Sequence, residues 1–202
     1  MDLNDPTTVA LLAAEAFHAA GHRYALCGGL LTAVYGEPRE TRDADLAIVD
    51  VSANQAAHAL RPYPVHTTIA FERVDFGGLS LSRLTIMSDP SDVTPGESTG
   101  LNTIDLVLPR SGRYASLAVQ RAVTTTLRDR EIRLLTLEDF ILFKVLSTRD
   151  RDLEDARAAM VRSGNALDRR LVTDEVLTLS SELPDVDVVG RWASVERPGS
   201  ST

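Results

Sequence analysis

Two aspartates, Asp43 and Asp45, stand at i and i+2 in the run Arg42-Asp43-Ala44-Asp45-Leu46-Ala47-Ile48-Val49. Residues 43–49 alternate and then turn fully apolar, as an inner strand does. On a strand that spacing sets both carboxylates on one face, side by side. Adjacent carboxylates repel each other and resist burial, so the pair calls for a cation. Mg²⁺ or Mn²⁺ suits it, because such an ion favours a few carboxylates together with substrate phosphates and waters. Solvated aspartates at a strand entry would read the same, so the pair needs support from elsewhere in the chain.

Three other features supply candidates. Gly28-Gly29 lies between an apolar strand and a short helical run. Glycine lets backbone approach a phosphate, and a helix start offers unpaired N–H groups. A tight strand–helix turn would also need glycine. Asp105 interrupts the apolar run Ile104-Asp105-Leu106-Val107-Leu108, where a charge needs a partner. That partner is either a metal shared with Asp43 and Asp45 or an arginine. Finally, Lys144 is the only lysine among 21 Lys and Arg residues. A lone compact ammonium in an arginine-preferring chain hints at a dedicated site. Read in order, a Gly-Gly turn, a D-x-D strand and a later aspartate match what two-metal phosphoryl transfer requires: a phosphate cradle, a metal pair and a third carboxylate to position the attacking hydroxyl.

The elements around these residues are legible. Residues 7–20 read as a helix stopped by Gly21, and 23–27 as a short buried strand. LLTAVYG after Gly29 suggests about two helical turns ending at Gly36. Ser52 caps a helix to about Leu60. Residues 65–76 and 79–87, split by Gly77-Gly78, suggest a hairpin. Residues 88–100 are rich in turn formers, and 102–108 form a strong strand. A short helix over 113–121 and strands at 122–127 and 131–135 follow. Thr136 with Asp139 predicts a capping box opening a helix, and helices continue over 149–163, 171–182 and 185–194. The expected class is α+β: a mixed sheet flanked by helices, with a helical C-terminal part. We expect a catalytic body over 1–135, helices packed on it over 136–196, and a frayed tail over 197–202.

Composition narrows the classes. The 202 residues are 44% hydrophobic and 25% charged, ordinary for a folded domain. The net charge of -8 argues against a general nucleic-acid coat protein. Residues 110–170 nevertheless hold 13 basic against 9 acidic side chains. That stretch either meets a polyanionic substrate or is an ordinary solvated helical surface. No apolar run approaches a membrane span, and the start MDLNDPTT does not resemble a secretory signal, so a cytoplasmic location is expected. Cys27 is the only cysteine and reads as a small buried residue. His18, His22, His58 and His66 lack metal-ligand spacing, and no P-loop, G-x-S-x-G or G-x-G-x-x-G occurs.

The run CGGLLTAVYGEPRETRDADLAIV resembles the signature of the DNA polymerase β-like nucleotidyltransferase superfamily. Its form R-x-T-x-D-x-D, at Arg39, Thr41, Asp43 and Asp45, is similar to the AbiEii-type branch of abortive-infection and toxin–antitoxin proteins. The later run LEDFILFKVLSTRDRDLEDARAAM resembles the same branch, with Lys144, Arg149 or Arg151, Asp152 and Asp155 in place. The resemblance implies transfer of a nucleotide from a nucleoside triphosphate (NTP) to an acceptor hydroxyl on tRNA, a protein or a small molecule. It implies that Gly28 and Gly29 hold the triphosphate and that Asp43 and Asp45 bind Mg²⁺. Asp105 would complete the metal site or act as base. Lys144 would contact the triphosphate, Asp152 would orient Lys144 or the acceptor, and Arg39 and Thr41 would support the strand or touch phosphate. A cognate antitoxin is an implied partner. The second glycine departs from the serine of many relatives. The competing class is a nucleotide- or partner-binding module on the same fold that no longer turns over.

Overall fold

The computed structural model describes residues 1–88 and 100–197. Among them, seven strands form one mixed sheet: β1 (Arg23–Leu26), β2 (Ala44–Val49), β3 (Val65–Phe76), β4 (Leu79–Ser88), β5 (Leu101–Pro109), β6 (Val123–Leu127) and β7 (Arg130–Leu134). Their order is β3-β4-β5-β2-β1-β7-β6, which places β2 at the centre. β2 runs parallel to β5 and antiparallel to β1, and β1 runs parallel to β7. The hairpins β3–β4 and β6–β7 form the two flanks.

A central strand is covered on both faces, so it should be apolar throughout. β2 obeys this at Ala44, Leu46, Ala47, Ile48 and Val49, all buried, and breaks it at Asp45. α1 (Pro6–Ala19), capped by Asp5, packs on β1, β2, β5 and β7, and α4 (Gly112–Arg121) on β1, β2 and β5. α3 (Ala53–Leu60) packs on β3 and β4 and carries the full capping box of Ser52 and Gln55. After β7 the chain turns helical in α5 (Leu137–Leu146), α6 (Asp150–Ser163), α7 (Arg169–Glu182) and α8 (Val188–Glu196). α5 packs against α6, α7 and α8, and also meets the Gly28–Leu31 segment. This is the expected α+β class.

Two local expectations change. The run after Cys27 is a 3-10 turn, Gly28–Leu31, leading into a single helical turn, α2 (Thr32–Tyr35). Gly28 enters at φ +66°, and Thr32 Oγ1 donates to Gly29 O at 2.7 Å, which tightens the start. At α5, Thr136 accepts from the Asp139 N–H as expected of a cap. The Asp139 carboxylate, however, is fully buried and takes Tyr114 Oη at 3.0 Å and Arg121 Nη2 at 2.6 Å. It ties α4 to α5, because a buried carboxylate must meet a cation and the guanidinium outcompetes a local amide. The turn-rich stretch expected at 88–100 lies outside the described residues apart from its ends, as does the tail beyond Arg197. Among the described residues no helix is long and apolar enough to cross a membrane.

Candidate functional site

Strand register brings the carboxylates together. Asp45 and Asp105 are direct neighbours across the parallel β2–β5 pair, and Asp43 lies two residues before Asp45 on the same face. All three border a cleft of about 460 Å³. Gly28, Gly29, Arg39, Thr41, Lys144 and Asp152 border the same cleft, so every site residue named from the sequence lies at one place. Phe76, Leu79, Leu81, Val107 and Phe143 form its apolar wall.

The Gly-Gly turn is shaped by the carboxylate strand. The Gly29 N–H donates to Asp45 Oδ2 at 3.1 Å. A Cβ on Gly28 would overlap the Asp45 carboxylate, and one on Gly29 would lie 2.6 Å from Thr41 Oγ1. A serine at residue 29 would therefore collide with Thr41, whose hydroxyl already fills that space. Both glycines permit close approach of protein to protein, and the Gly29 amide is engaged by Asp45.

Asp45 is the carboxylate with the least compensation. Burial, and then the nearby Asp105 charge, push its pKa from 3.8 up to about 6, against the pull of the Gly29 N–H and Lys144. Asp43 accepts from Thr103 Oγ1 at 2.7 Å and stays two-fifths exposed. Asp105 has an arginine as partner: Arg83 Nε and Nη2 reach its two oxygens at 2.7 and 2.8 Å. Arg83 Nη2 also lies 3.5 Å from Asp43 Oδ2. Of the two partners open to Asp105 from the sequence, the structure holds the arginine. Among the described residues, no group of three His, Cys, Asp or Glu is arranged to hold a metal ion. Asp43 and Asp45 still fit a divalent cation: both are oxygen donors on one face, Asp43 is open to the cleft, and Asp45 makes no salt bridge among the described residues.

Lys144 borders the cleft and is held by two carboxylates. It is only 4% exposed, and Nζ bonds Asp152 Oδ1 at 2.6 Å and Asp155 Oδ2 at 2.7 Å. Arg39 pairs with Asp155 at 3.1 Å, and Arg149 and Ser147 both bond Asp152. Burial alone would raise the Asp152 carboxyl, but Lys144, Ser147 and Arg149 outweigh it and hold it below its ordinary value. The ammonium thus joins α5 to α6, and Asp152 orients it. Arg39 braces the loop before β2 against α6. Arg149 also lies 5.8 Å over the Phe76 ring. Arg42, Arg149 and Arg151 are the cations exposed at the cleft mouth, and Arg151 makes no ion pair among the described residues.

The basic stretch 110–170 is largely consumed internally. Arg110 pairs with Asp185, Arg113 with Glu175 and Glu182, and Arg121 with Asp139. Arg133 and Arg162 bond backbone carbonyls. The solvated-surface reading was too loose for these residues, and only Arg149 and Arg151 of that stretch reach the cleft exposed.

Sequence reasoning missed Arg83, Thr103 and Ser147. Arg83 had one signal, being the only charge in the strand run LSLSRLTIMS. Its partner could not be read without the sheet order.

No family model matches the chain, and no curated protein matches it. Among solved structures, it is similar to an antigenic nucleotidyltransferase-like protein from Paracoccidioides brasiliensis, at a TM-score of 0.54 and 18% identity over 94% of this chain and 91% of that one. It also aligns with the antibiotic-resistance factor ANT(2'')-Ia at a TM-score of 0.47 and 14% identity, over 95% of this chain and 97% of that one. At such identities the first likeness speaks to the fold: a mixed nucleotidyltransferase-type sheet flanked by helices.

Proposed function

We propose that the chain is a metal-dependent nucleotidyltransferase that moves a nucleoside monophosphate from an NTP to an acceptor hydroxyl. The observation that carries this is the in-register pair Asp45–Asp105, with Asp43 beside it, in a cleft rimmed by Arg42, Arg149 and Arg151. Asp43 and Asp45 would hold the divalent cation, which supplies charge neutralisation at the reacting phosphate. The rim arginines meet the triphosphate, in place of the buried Lys144. The apolar wall with Phe76 takes the flat, less polar part of the nucleotide. The acceptor oxygen forms a bond to the α-phosphorus, the bond to the β-phosphate oxygen breaks, and pyrophosphate leaves. Asp105 takes the acceptor proton through lone pairs that Arg83 leaves free. We place the chain in the AbiEii-type branch, acting in the cytoplasm on tRNA, a protein or a small molecule, with a cognate antitoxin as partner.

One observation favours a second reading. Arg83 clasps Asp105, as expected in a nucleotide- or partner-binding module that has lost turnover. The test is incubation with each α-phosphate-labelled NTP and Mg²⁺ or Mn²⁺, with and without total tRNA or cell extract. Label transfer that disappears in Asp43→Asn and Asp45→Asn supports the enzyme. NTP binding by calorimetry with no labelled product in any mixture supports the module.

A further inference from the structure

We propose that Arg83 withholds Asp105 from the metal, so that the nucleotide-free cleft takes one divalent cation, on Asp43 and Asp45. Arg83 then acts as the site's second, permanent positive charge. The inference rests on the nucleotidyltransferase reading for the presence of a cation, and concerns how this chain's own residues divide the carboxylates.

The sheet registers carry the argument. Phe71 pairs with Arg83 across β3–β4, Arg83 with Asp105 across β4–β5, and Asp105 with Asp45 across β5–β2. Four side chains therefore stand in one row across four strands: aromatic, guanidinium, carboxylate, carboxylate. Arg83 is built into this row. Its guanidinium lies 5.8 Å from the Phe71 ring centre on one side and grips Asp105 with two bonds on the other. Such a bidentate, charge-assisted pair is among the stronger polar contacts a protein makes. Asp105 is almost fully buried, so releasing it would strand a charge away from water.

The remaining carboxylates differ in kind. Asp43 meets Arg83 only at 3.5 Å and faces the cleft, oriented by Thr103. Among the described residues Asp45 has no salt-bridge partner, and its carboxylate accepts only the Gly29 amide. Charge balance agrees: three carboxylates and one guanidinium sum to -2, the charge that a single divalent ion cancels. Two ions in the free protein would leave the site at +2. Arg83 is in this sense a positioning residue. It fixes the Asp105 oxygens and sets the number of ions bound.

The test is Mn²⁺ binding to the nucleotide-free protein at pH 7.5, followed by the electron spin resonance of free Mn²⁺. Wild type should bind one ion per chain. Asp45→Asn should lose it, while Asp105→Asn should keep one ion, bound about tenfold more weakly because a neighbouring negative charge is gone although no ligand is. Arg83→Gln frees Asp105, so it should bind a second ion or bind the first at least about tenfold more tightly. The pair R83Q/D105N should return to one ion. Two ions in wild type, or loss of the ion in Asp105→Asn, would overturn the inference. So would a well-folded Arg83→Gln that binds Mn²⁺ as wild type does. If Arg83→Gln fails to fold, wild type and Asp105→Asn decide the question alone. Two ions in wild type with label transfer intact sinks this inference and spares the enzyme. No Mn²⁺ binding and no label transfer sinks both.

Discussion

Replacing Asp45 by Asn should stabilise the metal-free fold at neutral pH while abolishing nucleotide transfer. Burial and the Asp105 charge raise the Asp45 pKa from 3.8 to about 6. The folded state therefore holds a proton that the unfolded chain has already released between those two values. Wild-type stability falls as pH rises through this window, and the penalty is fully present above about 6. Roughly two pH units at about 1.36 kcal/mol each set an upper limit near 3 kcal/mol. Asp45 is partly open to the cleft, which reduces the expected gain to about 1–3 kcal/mol. The asparagine oxygen can keep the Gly29 N–H, so no hydrogen bond need be lost. For a chain of this size each kcal/mol is worth about 2–4 °C, so Tm should rise by about 2–12 °C. The measurement is thermal unfolding in EDTA at pH 7.5 and pH 5.0. At pH 5.0, midway through the window, about half of the gain should remain, because the unfolded chain has already released the proton there, and the gain should vanish only below about pH 3.8. Equal gains at both pH values, or a loss at both, would refute the electrostatic reasoning.

Three other outcomes follow from the same site. Lys144→Met leaves Asp152 and Asp155 with only Arg149, Ser147 and Arg39, and should cost about 2–4 kcal/mol, read by urea unfolding. An unchanged midpoint would show that the ammonium does not hold α5 to α6. Asp152 is held below its ordinary 3.8, so its contribution is present above that value and goes only as pH falls beneath it. Gly28→Ala forces a side chain into the Asp45 carboxylate at a positive φ, and should lower stability by about 2 kcal/mol or more and abolish transfer; a variant with wild-type Tm and transfer would show that the turn is not tied to the D-x-D strand. Burial, followed by the Asp45 charge, pushes the Cys27 thiol well up, so it should resist a thiol reagent at pH 8 in the native protein and react at once in urea. Rapid labelling of the native protein would contradict the packing around β1.

Most of the elements were legible because their signals are local. Alternation marked 43–49, glycine pairs marked the turns, and Ser52 and Thr136 marked helix starts. Pattern and spacing also singled out Gly28, Gly29, Asp43, Asp45 and Asp105, since charge or glycine inside apolar runs is informative without any fold. Lys144 shows the limit of that logic. Its rarity in the chain marked it as special, and it is, but as a buried tie between α5 and α6. Rarity carries no direction, and whether an ammonium faces a cleft or a carboxylate depends on how two helices pack.

The sequence by itself determined the α+β class and pointed to the carboxylates, with Asp43 and Asp45 on one face, because a period of two is a property of one strand. Only the tertiary structure decided what each carboxylate meets. The order β3-β4-β5-β2 brings Arg83 from residue 83 to Asp105 and sets Asp105 against Asp45. Those pairings are long-range consequences of strand order and register, and no local pattern encodes them. The D-x-D pair, a bare spacing at the outset, is now two carboxylates of unequal burden: Asp43 open and oriented by Thr103, Asp45 pressed against the Gly28–Gly29 turn with no salt bridge among the described residues.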